Sequence, residues 1–300
     1  MPPRLKLYFA ATRPFSFTAS VVPVVVGSLV AAQKHFNPLY FLLALAGSLL
    51  IHAGTNLVND YYDHVKCVDG PASLGPSKMI QRGLMTAGEV LKLGIACFAG
   101  GAACGLVLVA LVGMPLLWLG LASVAAGFFY TGAPVSLAYI GLGELTVFFF
   151  MGPVMVIGAY YVQVHEWAWR PFIVSLPIAF LVTAILHANN LRDVDDDRQH
   201  GKRTLATIIG QRPANWEYYT LIAASFVALV VMVATRVAPW PVLISLLTLP
   251  AAVRAVTYTA RTREPRRLNL LLFRTAQLHM RFGALLATGL AAGLVLRAFT

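Results

Sequence analysis

The chain has 300 residues, of which 58% are hydrophobic and 12% charged, with a formal net charge of +11 and a mean hydropathy of +0.73. That apolar excess excludes a soluble domain, and the 3 cysteines, odd in number and without C-x-x-C spacing, indicate neither a disulfide framework nor a zinc site. No Lys/Arg cluster is interleaved with exposed aromatics in a polar domain, so the basic balance does not point to nucleic acid.

In chain order, a short basic start (Arg4, Lys6, Arg13) leads into apolar runs. They predict spans at 16–33, 39–58, 90–112, 115–131, 141–163, 171–190, 217–236, 239–258 and 278–297. The first run is long and many follow it, so it reads as a span and not as a signal segment. The expected architecture is an all-α membrane protein of about nine transmembrane helices, residues 1–300 forming one domain. The N-terminus, the loops after even-numbered spans and the adjoining helix ends hold 19 of the 23 Lys and Arg, leaving Lys34, Arg170, Arg236 and Arg297 opposite. That asymmetry puts the N-terminus and the longer polar loops on the cytoplasmic side, and the expected location is a bacterial inner or plasma membrane. The segment 261–267 (RTREPRR) reads as an anchor facing anionic lipid.

Two acidic stretches interrupt this pattern, each at the end of an apolar run. In the first, Asn56, Asp60 and Asp63 fall at i, i+4, i+7, with Asp69 just beyond. In the second, Asn189, Asp193 and Asp197 fall at i, i+4, i+8 on one helical face, while Asp195 and Asp196 point elsewhere. Together the stretches hold seven of the chain's 12 acidic residues. Carboxylates so crowded repel one another unless a cation lies between them. Hard oxygen donors at this spacing suit Mg2+, which keeps waters and shares its positions with a substrate phosphate. Asp60, Asp63, Asp193 and Asp197 are the expected metal ligands, with Asn56 and Asp69 beside them. Asn189 is placed to ligate or to bridge by hydrogen bond. Lys78, Arg82, Arg192 and Lys202 are the candidate cations to grip such a phosphate. The loop Gly70–Thr86 has lid-like punctuation of Gly, Pro and Ser, which an ordinary surface loop shares.

The residues now in hand resemble the UbiA superfamily of intramembrane prenyltransferases. Asn56-x-x-x-Asp60-x-x-Asp63 looks like its first aspartate-rich motif and Asp193-x-x-x-Asp197 like its second. The branch acting on 1,4-dihydroxy-2-naphthoate is closer still. It shares Arg13-Pro14, Gly75-Pro76 with Gln81-x-Gly83, Tyr130-Thr131-Gly132, Gly141–Glu144, the run from Asn189 to Ala206, and Leu278-His279. The resemblance implies nine transmembrane helices around a central cavity, a polyprenyl diphosphate donor, an aromatic acceptor and Mg2+. It alone implies decarboxylation, giving demethylmenaquinone. An allylic cation needs a dry site with ring faces; Tyr130 is the aromatic singled out, with Tyr61 and Tyr62 behind it and Tyr139 read as packing or interfacial belt. Glu144 has no nameable partner, and His187 and His279 read as core histidines. The competing readings are a relative acting on 4-hydroxybenzoate or a vitamin K2-type naphthoquinone, and a divalent-cation transporter. The transporter is disfavoured because the acids cluster at helix ends instead of lining a path across the bilayer.

Overall fold

Asn37 begins the second long helix by accepting hydrogen bonds from the Leu39 and Tyr40 amides, with Pro38 at the first helical position. Thr86 and Glu89 form a reciprocal capping box at the next. These local signals start helices that hydropathy then carries through the bilayer. The computed structural model describes residues 3–68, 74, 78–262 and 264–298.

A short helix α1 (Pro3–Ala11) precedes α2 (Thr18–Ala31), α3 (Pro38–Val65), α4 (Ala87–Val112) and α5 (Pro115–Phe129). Next come α6 (Gly143–Phe149) and α7 (Met155–Val164), joined through a π-helical stretch, Phe150–Val154, that contains Pro153. Proline there removes a backbone donor, and the ladder widens around it. Then follow α8 (Trp169–Gln199), a five-residue α9 (Leu205–Ile209), α10 (Gln211–Ala234), α11 (Leu249–Arg261) and α12 (Pro265–Ala298). A 3-10 segment, Trp240–Thr248, runs directly into α11. Among the described residues, eight of these elements are long and apolar enough to cross a membrane, with the 15-residue α5 a shorter ninth. The fold is all-helical and multi-pass, as expected. The boundaries differ at the charged ends: α8 continues through the acidic stretch to Gln199, and the last helix begins at Pro265 instead of near 278. Charged turns stay helical because their backbone bonds and neighbouring contacts outweigh the loss of hydropathy.

Helix α8 is the central element, with 72% of its apolar window buried inside the protein. Its neighbours approach closely where glycine permits. A Cβ on Gly152 would lie 2.4 Å from the Ala179 Cβ, and one on Gly27 would lie 2.3 Å from the Val156 carbonyl oxygen. These two positions bring the π-helical stretch onto α8 and α2 onto α7. What remains open between the helices is a cavity of about 520 Å3.

Candidate active site

The acidic stretches meet at one end of this cavity. Asn56, Asp63, Asn189, Arg192, Asp193, Asp197, Lys202 and Tyr130 all line it. Below them the walls turn apolar, running past Ile51, Val147 and Met155 to Leu108, Leu116 and Val162. A polar head over a long greasy tail is the shape of the space.

Helix α3 supplies Asp60 and Asp63, both buried. Asp60 is ion-paired with Arg13, which takes a left-handed conformation (φ 58°) just before Pro14. Asp63 accepts from the Tyr139 hydroxyl at 2.5 Å and the Asn59 amide at 3.0 Å. Helix α8 supplies Asp193 and Asp197. Arg192 folds onto Asp193 (2.7 and 2.5 Å) while also donating to Asn189 and to Asn269 of α12. An immediate neighbour of Asp193 points about 100° away from it on a helix, but the length of Arg192 lets the guanidinium swing back, and it is buried. Lys202, just past the α8 terminus, lies 3.4 Å from Asp197 and 3.9 Å from Asp63. Burial pulls its pKa down, but Asp63, Asp197 and Asp193 outweigh that and hold it above the ordinary lysine range.

Every carboxylate oxygen here is a hard donor, and Asp197 Oδ2 is buried with no hydrogen-bond partner among the described residues. Also among those residues, no three acidic, His or Cys side chains close a cage around one ion. Mg2+ asks for no such cage, since one or two carboxylates, waters and a phosphate complete its shell. The residues fit Mg2+ on that basis, with Asp63 on one wall and Asp193 and Asp197 on the other; Asp60, expected as a fourth ligand, is turned to Arg13 and does not line the cavity.

Other expected positions fall differently. The Asn56 amide nitrogen is spent on the Thr12 carbonyl and the Ser16 hydroxyl. Asp69 lies outside the described residues, as does most of the first half of the 70–86 loop, although Leu74 reaches the cavity. Lys78 and Arg82 sit in the turn before α4 and do not line the cavity. Asp196 is half-exposed and borders the cavity mouth, because i+3 from Asp193 is close to the same face, whereas Asp195 is exposed. Tyr61 and Tyr62 pack edge to face at 5.2 Å and, unlike Tyr130, are not cavity walls.

Tyr139 is the clearest correction. Far from being belt packing, it bonds Asp63, and its ring lies 4.0 Å from the Lys66 ammonium and 5.4 Å from that of Lys202. Lys66, which sequence reasoning missed, is fastened by the Thr131 carbonyl (3.0 Å) and the Ser136 hydroxyl (2.7 Å). Arg13, named only within the Arg13-Pro14 resemblance, and Asn59, the neighbour of Asp60, were missed as site residues as well. Glu144 gains its partners too. Its Oε1 accepts from Asn190 (2.8 Å) and meets His187 Nδ1 (3.2 Å), while His187 Nε2 donates to the Ala214 carbonyl (2.8 Å). His187 and His279 are fully buried core histidines, as expected.

Helix bundle and site together define a multi-pass membrane protein that gathers carboxylates and cations over an apolar cavity, the arrangement of an enzyme handling a polyanionic head on a hydrophobic tail. The UbiA prenyltransferase family matches residues 20–295, and the chain belongs to that family. A 1,4-dihydroxy-2-naphthoate octaprenyltransferase of Bacillus subtilis (strain 168) is 34% identical over 291 residues, 95% of this chain and 92% of that protein. The protein of the same name from Escherichia coli (strain K12) is 32% identical over 281 residues, 91% of each chain. UbiA prenyltransferase domain-containing protein 1 of Homo sapiens is 32% identical over 276 residues, 88% of this chain and 80% of that one. The fold matches a UbiA homolog from Aeropyrum pernix K1 with a TM-score of 0.69 at 17% identity, covering 92% of this chain and 98% of the other. A homolog from Archaeoglobus fulgidus matches with a TM-score of 0.66 at 16% identity, covering 93% and 99%.

Proposed function

We propose that this prenyltransferase moves a polyprenyl group from polyprenyl diphosphate to 1,4-dihydroxy-2-naphthoate, releasing diphosphate and CO2. The observation that carries this reading is the continuity of one cavity, charged where Asp63, Asp197 and Lys202 converge and apolar beyond. Two relatives are named for that naphthoate reaction, and the Archaeoglobus fulgidus homolog was solved with GPP and Mg2+. Residues 1–300 act as one catalytic domain, with the site toward the cytoplasm.

The allylic C–O bond breaks, and the diphosphate leaves with the electron pair. Arg192 of α8 and Lys202 just past it bind its developing charge, with Arg13 on the facing wall and Lys66 held against the Tyr139 ring. Asp63, Asp193 and Asp197 would hold Mg2+, which when bound neutralises charge on the diphosphate, and Asp60 fixes Arg13 at the cavity. Tyr130 presents a ring to the allylic carbon, and the apolar walls exclude water that would otherwise give prenol. The ring carbon bearing the carboxylate donates a pair to that allylic carbon. Loss of CO2 returns a pair to the ring, leaving the dihydroxy form of demethylmenaquinone.

Membranes carrying the protein, given labelled prenyl diphosphate and each acceptor in turn, test the reading. Prenylated dihydroxynaphthoate that disappears with EDTA and returns with Mg2+ is the expected product. Turnover confined to 4-hydroxybenzoate or to a vitamin K2-type naphthoquinone would overturn the acceptor assignment, and divalent-ion flux without any prenylated product would overturn the activity.

A further inference from the structure

From residue 211 to the C-terminus the chain has ten arginines, no lysine and only two acidic residues, Glu217 and Glu264. Several arginines sit at helix ends, where cations are expected at a bilayer surface. Three do not. Arg281 falls midway along the Pro265–Leu296 span, between His279, which meets Thr18 at 2.8 Å, and Phe282, whose carbonyl faces Ser245. Arg274 lies two helical turns nearer the cytoplasmic-type end, with Gln277 between them on the same face. All three side chains are exposed on the outside of α12. On the adjoining α11, Arg254 is also exposed, within the Trp240–Arg261 span.

These faces lie side by side. The Arg274 guanidinium is 4.5 Å from the Tyr258 ring, and the Tyr258 hydroxyl donates to the Arg267 carbonyl at 3.0 Å, fastening α11 to α12. Side chains lean toward a helix's own N-terminus, so Arg281 leans back toward Gln277 and Arg274. Helix α11 runs the other way, and Arg254 leans deeper, its Nε donating to the Pro250 carbonyl at 3.2 Å. The two rows therefore converge on one outward groove.

A bare guanidinium at this depth in hydrocarbon is costly and takes an anionic partner. Among the described residues the protein offers none here: Glu217 faces His187 inside the bundle, and Glu264 is paired with Arg267 beyond the span. A second copy of the chain supplies none either. Among the described residues the exposed acids are Glu89, Glu166, Asp195 and Glu264, all at helix ends or in loops. Arginine's planar fork suits phosphate oxygens, and apolar side chains such as Val253, 53% exposed, flank the groove for acyl chains.

We propose that the groove between α11 and α12 is a binding site for an anionic phospholipid, whose phosphate is held by Arg254, Arg274, Gln277 and Arg281. This site is separate from the cavity and does not depend on which acceptor is prenylated.

Delipidated protein in detergent, titrated with phosphatidylglycerol or phosphatidylcholine and read by native mass spectrometry, tests it. Wild type binds phosphatidylglycerol more tightly. Each arginine replaced by glutamine weakens that binding by about fivefold, and Arg254→Gln/Arg274→Gln/Arg281→Gln brings it to the phosphatidylcholine level. Arg236→Gln, at the far-side turn after α10, retains wild-type affinity. Prenyl transfer in detergent reports that each variant is folded; if the triple variant is inactive, Arg281→Gln alone carries the test. Undiminished phosphatidylglycerol binding in the active variants would overturn the proposal. So would a lipid-free dimer that the same substitutions dissociate.

Discussion

The Lys202 ammonium lies 3.9 Å from Asp63 Oδ2, a contact between the loop after α8 and the end of α3. Through it, and through Asp197 at 3.4 Å, one cation joins the two acidic stretches. Removing it takes the bridging cation from two buried carboxylates and a donor from the diphosphate. Lys202→Ala is expected to lower kcat about a hundredfold and to raise KM for prenyl diphosphate, with acceptor KM nearly unchanged. Arg203→Ala is the contrast, since its side chain is exposed and its backbone makes the contact with Tyr139. Steady-state kinetics with donor and acceptor varied separately check this, and equal small effects from both changes would refute it.

Asp60→Asn and Asp193→Asn each remove charge from a carboxylate held by an arginine, one on α3 and one on α8. Both should abolish measurable turnover while the protein still accumulates in the membrane. Asp195→Asn should stay near wild type because that side chain is 83% exposed. Asp196→Asn, at the cavity mouth, should fall between them. Activity per unit of immunodetected protein gives the ranking; an essential Asp195 would contradict the geometry.

Tyr139→Phe keeps the ring beneath Lys66 but deletes the 2.5 Å hydrogen bond to Asp63. Hydrogen bonds to charged groups contribute roughly 1.5–3 kcal/mol, so turnover should fall at least about tenfold, with more Mg2+ needed for half-maximal rate. Tyr139→Leu, which also loses the ring, should fall further. Rates measured across a Mg2+ titration distinguish the two. Wild-type behaviour of Tyr139→Phe would return the residue to simple packing.

Gly105 and Gly120 both line the apolar cavity, and a Cβ on either meets nothing within 4 Å. Leucine at either position should therefore fill the cavity without disturbing the helices. Gly105→Leu and Gly120→Leu are expected to retain turnover with geranyl diphosphate and to lose it with long polyprenyl donors. Product chain lengths by mass spectrometry decide, and an unaltered preference in both would exclude the lower cavity as the chain's path.

Topology is tested with single cysteines after Cys67, exposed at the end of α3, has been replaced. Arg82→Cys should react with a membrane-impermeant maleimide only from the cytoplasm, and Glu166→Cys only from the opposite side. Reaction of both from one side would break the proposed orientation.

Hydropathy along the chain was enough to locate the spans, because each helix must satisfy its own backbone in the bilayer and so announces itself as a continuous apolar run. Helical periodicity likewise placed Asp193 and Asp197 on one face, a property of a single helix. Arg13 against Asp60, Tyr139 against Asp63, and Glu144 against His187 and Asn190 were not legible in that way. Each joins segments remote in the chain, and only the packing of α3, α6 and α8 around one cavity brings them together. The same packing left Lys78 and Arg82 outside the cavity, although their charge made them look equivalent to Lys202. Charge and periodicity are local to a segment, whereas which cation meets which carboxylate depends on where the helices end relative to one another, and that is set by tertiary structure.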